Sequence, residues 1–394
     1  MTNKYPLSSS TWDDKEIEAI KKVIDSDRYT MGRYVDKFEN AFSKYIGTKF
    51  SVMVNSGSSA NLLAVASLFY RKDNPLKRGD EVIVPAVSWS TTYNPLLQYG
   101  LKLKFVDVDL NTLNYDLEQL ANAITEKTKL LVLVNLLGNP NDFNKIKEIT
   151  KSKKIIIVED NCESMGAEFE NKKAGTFGEI GTFSSFYSHH ISTMEGGLIV
   201  TNDEELYHII LSLRAHGWTR NLPNKSMIHT KSMDPFEEQF KFILPGYNLR
   251  PLEISGAIGI EQLKKLPLFI ENRINNAKYF QEIFSNNKDF IIQNEIGKSS
   301  WFGFSFIIKE SSNLNRHELI KFLIKSGIET RPIVTGNFVN NPVIKYFNFQ
   351  IFHQLINADK VHNHGFFIGN HHYDISEKID YLKLTIDKFI NENK

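Results

Sequence analysis

The sequence predicts an α/β protein in which a mostly parallel sheet is covered by helices on both faces, followed by a smaller α+β domain. Short apolar runs alternate with amphipathic stretches through the first two thirds of the chain, which is typical of parallel sheets. The runs LLVLVN (130–135) and KIIIV (154–158) lack polar alternation, as expected for strands buried on both faces. After residue 265 the regular alternation of apolar runs and amphipathic stretches ends, so we expect a large domain over 1–265 and a small one over 266–394.

Each element follows from its residue pattern. Apolar runs predict strands, and stretches with apolar residues three or four positions apart predict helices. In the large domain they alternate as strand 51–55, helix 58–70, strand 81–85, helix 91–100, strand 101–109, helix 116–126, strand 130–135, helix 141–151 and strand 153–160. In the small domain we predict helix 268–287, strand 303–309, helix 316–327, a loop-rich segment and helix 376–393.

Composition excludes several classes of protein. Of 394 residues, 47 are Lys or Arg and 46 are Asp or Glu, so the net charge is +1 and a nucleic-acid partner is not expected. Cys162 is the one cysteine, which excludes an internal disulfide and a cysteine-ligated iron–sulfur cluster. The first residues lack the apolar core of a signal peptide and no run of about 18 apolar residues occurs, so we expect a soluble, cytoplasmic protein without membrane partners.

The turns after the predicted strands are the expected ligand site, because ligands of such sheets lie beyond the carboxyl ends of the strands. NSGSSAN (55–61) joins a strand to a helix, and its backbone amides with Gly57 and Ser58 suit a phosphate. The alternative is simple helix capping by Ser58 or Ser59.

Two further turns carry residues suited to a flat, charged ring. Trp89 follows the strand EVIVP and could stack on a ring or pack in the core. Asp160 ends a buried strand, where its carboxylate could hold a pyridinium nitrogen protonated, as pyridoxal-type cofactors need, or could cap the next segment. Glu163 follows closely enough to share the pocket.

The histidines are the candidate acid/base groups. His189 and His190 are adjacent, and neighbouring residues in an extended chain point in opposite directions, so joint metal binding is not expected. We predict that one enters the pocket as an acid/base while the other packs or hydrogen-bonds. The last fifth of the chain contains five more, whose spacings match no standard metal site: His353, His362, His364, His371 and His372.

Six segments in order make the chain similar to the DegT/DnrJ/EryC1/StrS sugar aminotransferase family, which depends on pyridoxal phosphate and has fold type I. They are NSGSSANLLA, the tryptophan of VPAVSWSTTYNPLL, VEDNCESMGA, GTFGEIGTFSSFYSHHISTMEGGLIVT, RAHGWTRN and PGYNLRPLEISGAIGIEQLKKL. The resemblance covers nearly the whole chain. Family aminotransferases carry a cofactor-binding lysine six residues before the EGG turn, and here that residue is His189.

A histidine at this position resembles a branch that removes the C-3 hydroxyl from nucleotide-linked 4-keto-6-deoxyhexoses. The resemblance implies noncovalently bound pyridoxal or pyridoxamine phosphate, no iron–sulfur cluster and L-glutamate as amino donor. It further implies a GDP-linked 4-keto-6-deoxymannose as substrate, ammonia as a product, and a place in deoxysugar and O-antigen or lipopolysaccharide synthesis. His189 would be the acid/base, because an imidazole with a pKa of about 6.5 can accept and return a proton at neutral pH.

The resemblance also implies roles for other residues. Gly57, Ser58 and Ser184 would hold the phosphate, with Asn248 reaching in from the second subunit of a homodimer. Trp89 would stack on the ring, Asp160 would pair with its nitrogen, and Glu163 would lie at its hydroxyl side. The candidates for sugar or glutamate contacts are His216, Arg220, Arg250, Glu329 and Arg331; Arg220 and Arg331 could instead form surface ion pairs.

Two other functions remain open at this point. One is an aminotransferase whose lysine lies elsewhere, with Lys172 or Lys173 as the nearby candidates. The other is a non-catalytic protein of this fold that binds sugar nucleotides. Retention of Trp89, Asp160 and Glu163 together favours an enzyme.

Overall fold

The computed structural model describes residues 4–151 and 153–392. Residues 1–3, 152 and 393–394 lie outside the described part. The first residues of the predicted large domain, the last residues of the predicted small domain and the last residue of the predicted helix 376–393 therefore lie outside it. Twelve α-helices are present in the described ranges: α1 Asp14–Asp25, α2 Arg33–Ile46, α3 Gly57–Leu68, α4 Ser90–Gln98, α5 Leu117–Ala123, α6 Phe143–Thr150, α7 Glu204–Arg214, α8 Pro235–Glu238, α9 Glu253–Phe284, α10 Arg316–Lys325, α11 Ile356–His364 and α12 Ser376–Glu392.

The strands form a large sheet, a small sheet and a two-stranded hairpin. Their bounds are β1 Phe50–Val54, β2 Glu81–Pro85, β3 Lys102–Val106, β4 Thr128–Val134, β5 Ile156–Asp160, β6 Glu168–Phe169, β7 Lys172–Lys173, β8 Ile180–Ser184, β9 Gly197–Thr201, β10 Phe290–Ile292, β11 Gly303–Ile308, β12 Phe349–Ile351 and β13 Gly365–Gly369. The predicted elements are thus present, generally with shorter bounds.

The large sheet has the order β1-β9-β8-β5-β4-β2-β3-β12. Strands β8, β5, β4, β2, β3 and β12 are parallel, whereas β9 runs antiparallel to both of its neighbours. Apolar side chains from both faces pack against helices, and β2, β8 and β9 are buried along their whole length. The predicted α/β class with a mostly parallel sheet is confirmed.

The second region is built on the antiparallel sheet β10-β11-β13, which packs with α9, α10 and α12 around a cluster rich in phenylalanine. The expected boundary at residue 265 falls inside the single helix α9, and β12 returns to the edge of the large sheet beside β3. The boundary between two domains at residue 265 stays a prediction.

Among the described residues, every helix is too short or too polar to cross a membrane.

Candidate active site

A cavity of about 780 Å³ lies at the carboxyl edge of the large sheet. The three segments singled out by the strand-end rule all contribute: Ser56–Ser58 after β1, Ser88 and Trp89 after β2, and Asp160–Glu163 at the end of β5. The lining residues are Leu7, Ser8, Ser56, Gly57, Ser58, Asn61, Ser88, Trp89, Thr91, Val134, Leu136, Asp160, Cys162, Glu163, Ser184, Phe186, Tyr187, Ser188, His189, Glu195, Phe302, Arg331, Pro332, Val334 and Phe367.

One end of the cavity is an anion cradle at the N-terminus of α3. Ser56 caps the helix, because its hydroxyl accepts the Ser59 N–H at 3.1 Å. The capping alternative for Ser58 or Ser59 is therefore wrong, since the cap is Ser56, two or three residues earlier. A Cβ at Gly57 would lie 2.6 Å from the Cβ of Ser184. Only glycine leaves that space open, so free backbone amides and the hydroxyls of Ser58 and Ser184 can surround a phosphate.

Asp160 is held rigidly at the centre of the cavity. One carboxylate oxygen accepts from the amide of Asn61 and the hydroxyl of Thr92, both at 2.8 Å. The other accepts the Cys162 N–H at 3.1 Å. Three donors stabilise the ionised carboxylate and fix its direction. A fixed negative charge at this point suits the protonated ring nitrogen of a pyridine.

Glu163 has a different environment. Burial, helped by the negative charge of Asp160, raises its pKa to about 7, although the Leu137 N–H donates to its carboxylate at 3.0 Å. Near neutral pH, Glu163 can therefore present a proton to a bound group.

Trp89 precedes α4 and is 57% exposed although it lines the cavity. Packing in the core, the alternative for this side chain, does not occur. An exposed indole face beside Asp160 can stack on a flat ring.

His189 lines the cavity from the loop after β8, and His190 does not. His189 N–H donates to the Phe186 carbonyl at 2.9 Å, so the segment is a turn rather than extended chain. His190 is fully buried, and its Nε2 lies 3.1 Å from the Ser300 carbonyl oxygen. One imidazole thus enters the cavity and the other hydrogen-bonds, as predicted, although the turn and not strand alternation separates them.

Burial and the charge of Arg273 lower the pKa of His189 to about 4. The pKa of His189 therefore lies below the ordinary imidazole value of about 6.5, with burial as the larger cause and the Arg273 charge as the second. His189 is neutral at physiological pH and is ready to accept a proton. Of the described residues that line the cavity, none is a lysine.

Four other predicted residues lie outside this cavity, on the segment 215–250. Asn248 is exposed and its side-chain oxygen accepts from Arg250 Nε at 3.0 Å. His216 is exposed, and the Arg220 guanidinium stacks on the Trp218 ring at 5.0 Å. The chain does not bring these side chains to its own Asp160 and His189.

Glu329 and Arg331 have different positions although they are two residues apart. Arg331 lines the cavity. The Glu329 carboxylate instead accepts the Leu7 N–H at 2.7 Å, which holds the N-terminal segment where Leu7 and Ser8 close one side of the cavity. Glu329 therefore shapes the cavity from outside it.

Several residues that build the site were not predicted from the sequence. Asn61 and Thr92 orient Asp160 from 99 and 68 positions away, and Phe302 packs its ring 5.2 Å from that of His189. Asn61 lies in the segment already selected as a phosphate turn, which was the one available signal. Two of the five C-terminal histidines serve structure: the His371 ring hydrogen-bonds with the Ser9 hydroxyl and the Pro6 carbonyl, and the His372 ring packs on Phe269. Within the described ranges, no group of three His, Cys, Asp or Glu side chains could hold a metal.

The large sheet is mostly parallel with one antiparallel strand, and its carboxyl edge carries the anion cradle, Asp160 and Trp89. This is the architecture of fold type I enzymes that use pyridoxal phosphate. This is the class that the fold and the cavity define.

The chain belongs to the DegT/DnrJ/EryC1/StrS aminotransferase family, whose profile matches residues 10–382. The resemblance based on six segments is thereby confirmed. The GDP-4-keto-6-deoxy-D-mannose 3-dehydratase of Yersinia pseudotuberculosis is 62% identical over 380 residues, which are 96% of this chain and 97% of that protein.

Two solved structures of GDP-4-keto-6-deoxymannose-3-dehydratase superpose closely, each with a TM-score of 0.96, 59% identity, and coverage of 97% of this chain and 100% of theirs. One is a histidine-to-asparagine mutant with bound GDP-perosamine. The other contains a trapped PLP–glutamate geminal diamine. The chain is therefore similar throughout its length to a pyridoxal-phosphate-dependent sugar dehydratase.

Proposed function

We propose that the protein is a C-3 dehydratase that uses pyridoxamine phosphate and acts on GDP-4-keto-6-deoxy-D-mannose. Its products would be the 3,6-dideoxy-4-keto sugar and ammonia, with L-glutamate restoring the amine form of the cofactor. The observation that carries the proposal is His189, a neutral imidazole in the cavity at the place where family aminotransferases have lysine. The 62% identical relative named as this dehydratase supports it.

The cavity fits the cofactor. Gly57, Ser58 and Ser184 would hold the phosphate at the N-terminus of α3, where a Cβ on residue 57 would close the cradle. Asp160 would pair with the ring nitrogen, and the exposed indole of Trp89 would cover the ring face. Glu163, with its pKa near 7, would share a proton with the ring hydroxyl. When bound, the cofactor supplies the amine that condenses with the C-4 ketone and a ring that withdraws electrons.

His189 would move the proton. As the neutral base it would accept a proton from the cofactor's C4′ carbon, and as the resulting acid it would donate that proton to the departing C-3 oxygen, which would leave as water. The proton taken is the proton returned, so the step balances without another base. A lysine amine would instead bind the cofactor covalently, which histidine cannot do stably.

The aminotransferase alternative has no lysine in the cavity. Lys172 and Lys173 form β7, and the Lys173 ammonium bonds to the Glu168 carboxylate at 2.8 Å. Neither side chain lines the cavity. We therefore favour the dehydratase over both alternatives, because a protein that only binds sugar nucleotides does not need an acid/base group in its cavity.

We further propose a homodimer with shared active sites. Asn248, Arg250, His216 and Arg220 do not reach this chain's own cavity, and the same segment exposes large apolar side chains that a monomer would leave in water. The three phenylalanines form what we call the aromatic surface, namely Phe236 (84% exposed), Phe240 (68%) and Phe242 (55%), and the same segment also exposes Met233 (98%). Burial of these side chains against a second copy would carry Asn248 towards the partner's phosphate cradle.

We place the enzyme in the cytoplasm on the basis of its proposed substrates, since L-glutamate and nucleotide sugars are cytoplasmic metabolites. Fractionation of cells that produce the protein at native level checks this.

Ammonia release tests the function directly. The purified protein with pyridoxal phosphate, L-glutamate and GDP-4-keto-6-deoxymannose should release ammonia only when sugar and glutamate are both present. CDP- and dTDP-linked 4-keto-6-deoxyhexoses serve as matched controls for the nucleotide. Formation of an amino sugar with no ammonia would establish an aminotransferase, and inertness towards every sugar would favour a binding protein.

A further inference from the structure

Arg273 is a buried cation in α9 that the proposed mechanism has not used. It is 4% exposed, and its Nη1 donates to the carbonyl oxygens of Asn370 at 2.8 Å and Phe302 at 3.2 Å. Among the residues that the structure describes, no carboxylate lies within 4.0 Å of its guanidinium nitrogens, and its Nε has no partner. An arginine is rarely buried without a carboxylate, since desolvating the charge is costly.

The loop that Arg273 holds forms the wall behind His189. The Phe302 ring lies 5.2 Å from the ring of His189 and 5.8 Å from that of His190. In the same loop, the Ser300 carbonyl bonds to His190 Nε2. The guanidinium therefore fixes the backbone that packs against both imidazoles.

The same loop also reaches the other side of the cavity. Phe302 N–H donates to the Leu137 carbonyl at 2.9 Å, and Leu137 N–H donates to Glu163. Ser300 N–H donates to the Gly138 carbonyl at 2.9 Å, and a Cβ at Gly138 would lie 2.6 Å from Trp301 N. Arg273 thus anchors a backbone connection that links α9 to the surroundings of both His189 and Glu163.

We propose that Arg273 is a positioning residue for His189: its guanidinium holds the loop of Ser300 and Phe302 against the imidazole and places a fixed positive charge behind that loop. This inference rests on the proposed function. A nearby cation destabilises a protonated imidazole, so the proton taken from carbon passes readily to the departing oxygen.

Other groups also act on His189, and the test must separate them from Arg273. Burial is the larger cause of its lowered pKa, and the Arg273 charge is the second. The further titratable or charged groups that share its cavity are Asp160, Cys162, Glu163, Tyr187, Glu195 and Arg331, and His190 adjoins it. An Arg273 variant keeps all of these residues, although the Arg273 charge also lowers the pKa of His190, so the His190 resonance is followed in the same titration.

The test is a titration of His189 by NMR in cofactor-free protein labelled at histidine, with the resonance assigned through His189→Asn. In the wild-type protein, we expect a midpoint below pH 5; a midpoint at or above pH 6 overturns the proposal without any Arg273 variant. Arg273→Gln keeps a donor for the carbonyls but removes the charge, and should raise the midpoint by about one unit. Arg273→Lys keeps the charge and should leave the midpoint in place.

Arg316→Gln is the matched control. Arg316 also donates to two backbone carbonyls, those of His362 and Gly365, but it does not adjoin the cavity. It should lower the melting temperature without moving the His189 midpoint. An unchanged midpoint in folded Arg273→Gln, or an equal change in Arg316→Gln, overturns the inference. The proposed function fails separately, if His189→Asn still releases ammonia.

Discussion

Two regions of the molecule differ in the hydrogen-bond partners of their polar residues: the cavity at the carboxyl edge of the large sheet and the segment 215–250. In the cavity, Asp160 receives three hydrogen bonds and Glu163 one, all from the same chain. In the segment, Asn248 is exposed and the aromatic surface lies in water. The polar groups of the first region find their partners within one chain, whereas the second region has the features of a surface that a second chain would cover.

The largest expected effect is at His189. His189→Asn should retain the fold and the cofactor but lower ammonia release by about 10²-fold or more, because a positioned proton-transfer group is removed. Ammonia is measured with sugar and glutamate saturating. His190→Asn is the control and should have a mild effect, since its imidazole bonds to Ser300 and does not line the cavity. The reverse ranking of the two variants would contradict the assignment.

A shared site predicts rescue between two inactive variants. His189→Asn and the double variant Asn248→Ala with Arg250→Ala should each be inactive as homodimers. After refolding as an equal mixture, each mixed dimer has one site with an intact His189 and an intact Asn248 from the other chain. Activity should therefore recover to about a quarter of the wild-type value. Light scattering gives the oligomeric state, and an active monomer or a complete lack of rescue would show that each chain works alone.

Asp160 tests the cavity as a site for a protonated ring. Asp160→Asn keeps the shape but removes the charge, and should lower the rate by about tenfold or more, equivalent to about 1.4 kcal/mol. Thr92→Val removes one of the three hydrogen bonds to Asp160 while leaving its charge, so its effect should be smaller. Equal rates in the Asn variant and the wild type would exclude the proposed ring contact.

The last effect is on stability rather than on activity, and it concerns Glu163 and pH. Its pKa is raised to about 7 in the folded protein, so between pH 4.5 and 7 the folded state binds more protons than the unfolded state. Stability from this group is present below pH 4.5 and is lost as the pH rises through 7. Urea unfolding of cofactor-free wild type should show an additional loss of about 2 kcal/mol between pH 5 and pH 8 that Glu163→Gln lacks. Parallel pH curves for the two proteins would show that Glu163 is ionised throughout.

The two regions also show what a sequence can predict. Local periodicity predicts most strands and the change of sequence pattern near residue 265. The rule that ligands lie at strand ends then selects the turns that carry Gly57, Trp89 and Asp160. The antiparallel direction of β9 and the presence of the edge strand β12 were not predicted, since β1, a partner of β9, and β3, the partner of β12, are distant in sequence. For the same reason the donors Asn61 and Thr92 were missed.

The residue-level errors have one physical cause, which is the three-dimensional environment. The pKa of His189 departs from its ordinary value because of burial and Arg273, a residue 84 positions away. Glu329 was expected to contact substrate and instead accepts the Leu7 N–H, a contact that spans most of the chain. Resemblance supplied the candidate residues, but their partners became visible only in the fold.

The central claim is that the cofactor is bound noncovalently and that His189 is the base. The most direct test compares wild type with His189→Lys after borohydride reduction in the presence of pyridoxal phosphate. Peptide mass analysis should find no cofactor attached near residue 189 in the wild type, together with ammonia release from sugar and glutamate. The lysine variant should carry the reduced cofactor on that peptide and release no ammonia. A covalent cofactor adduct on any lysine of the active wild-type enzyme would contradict the account.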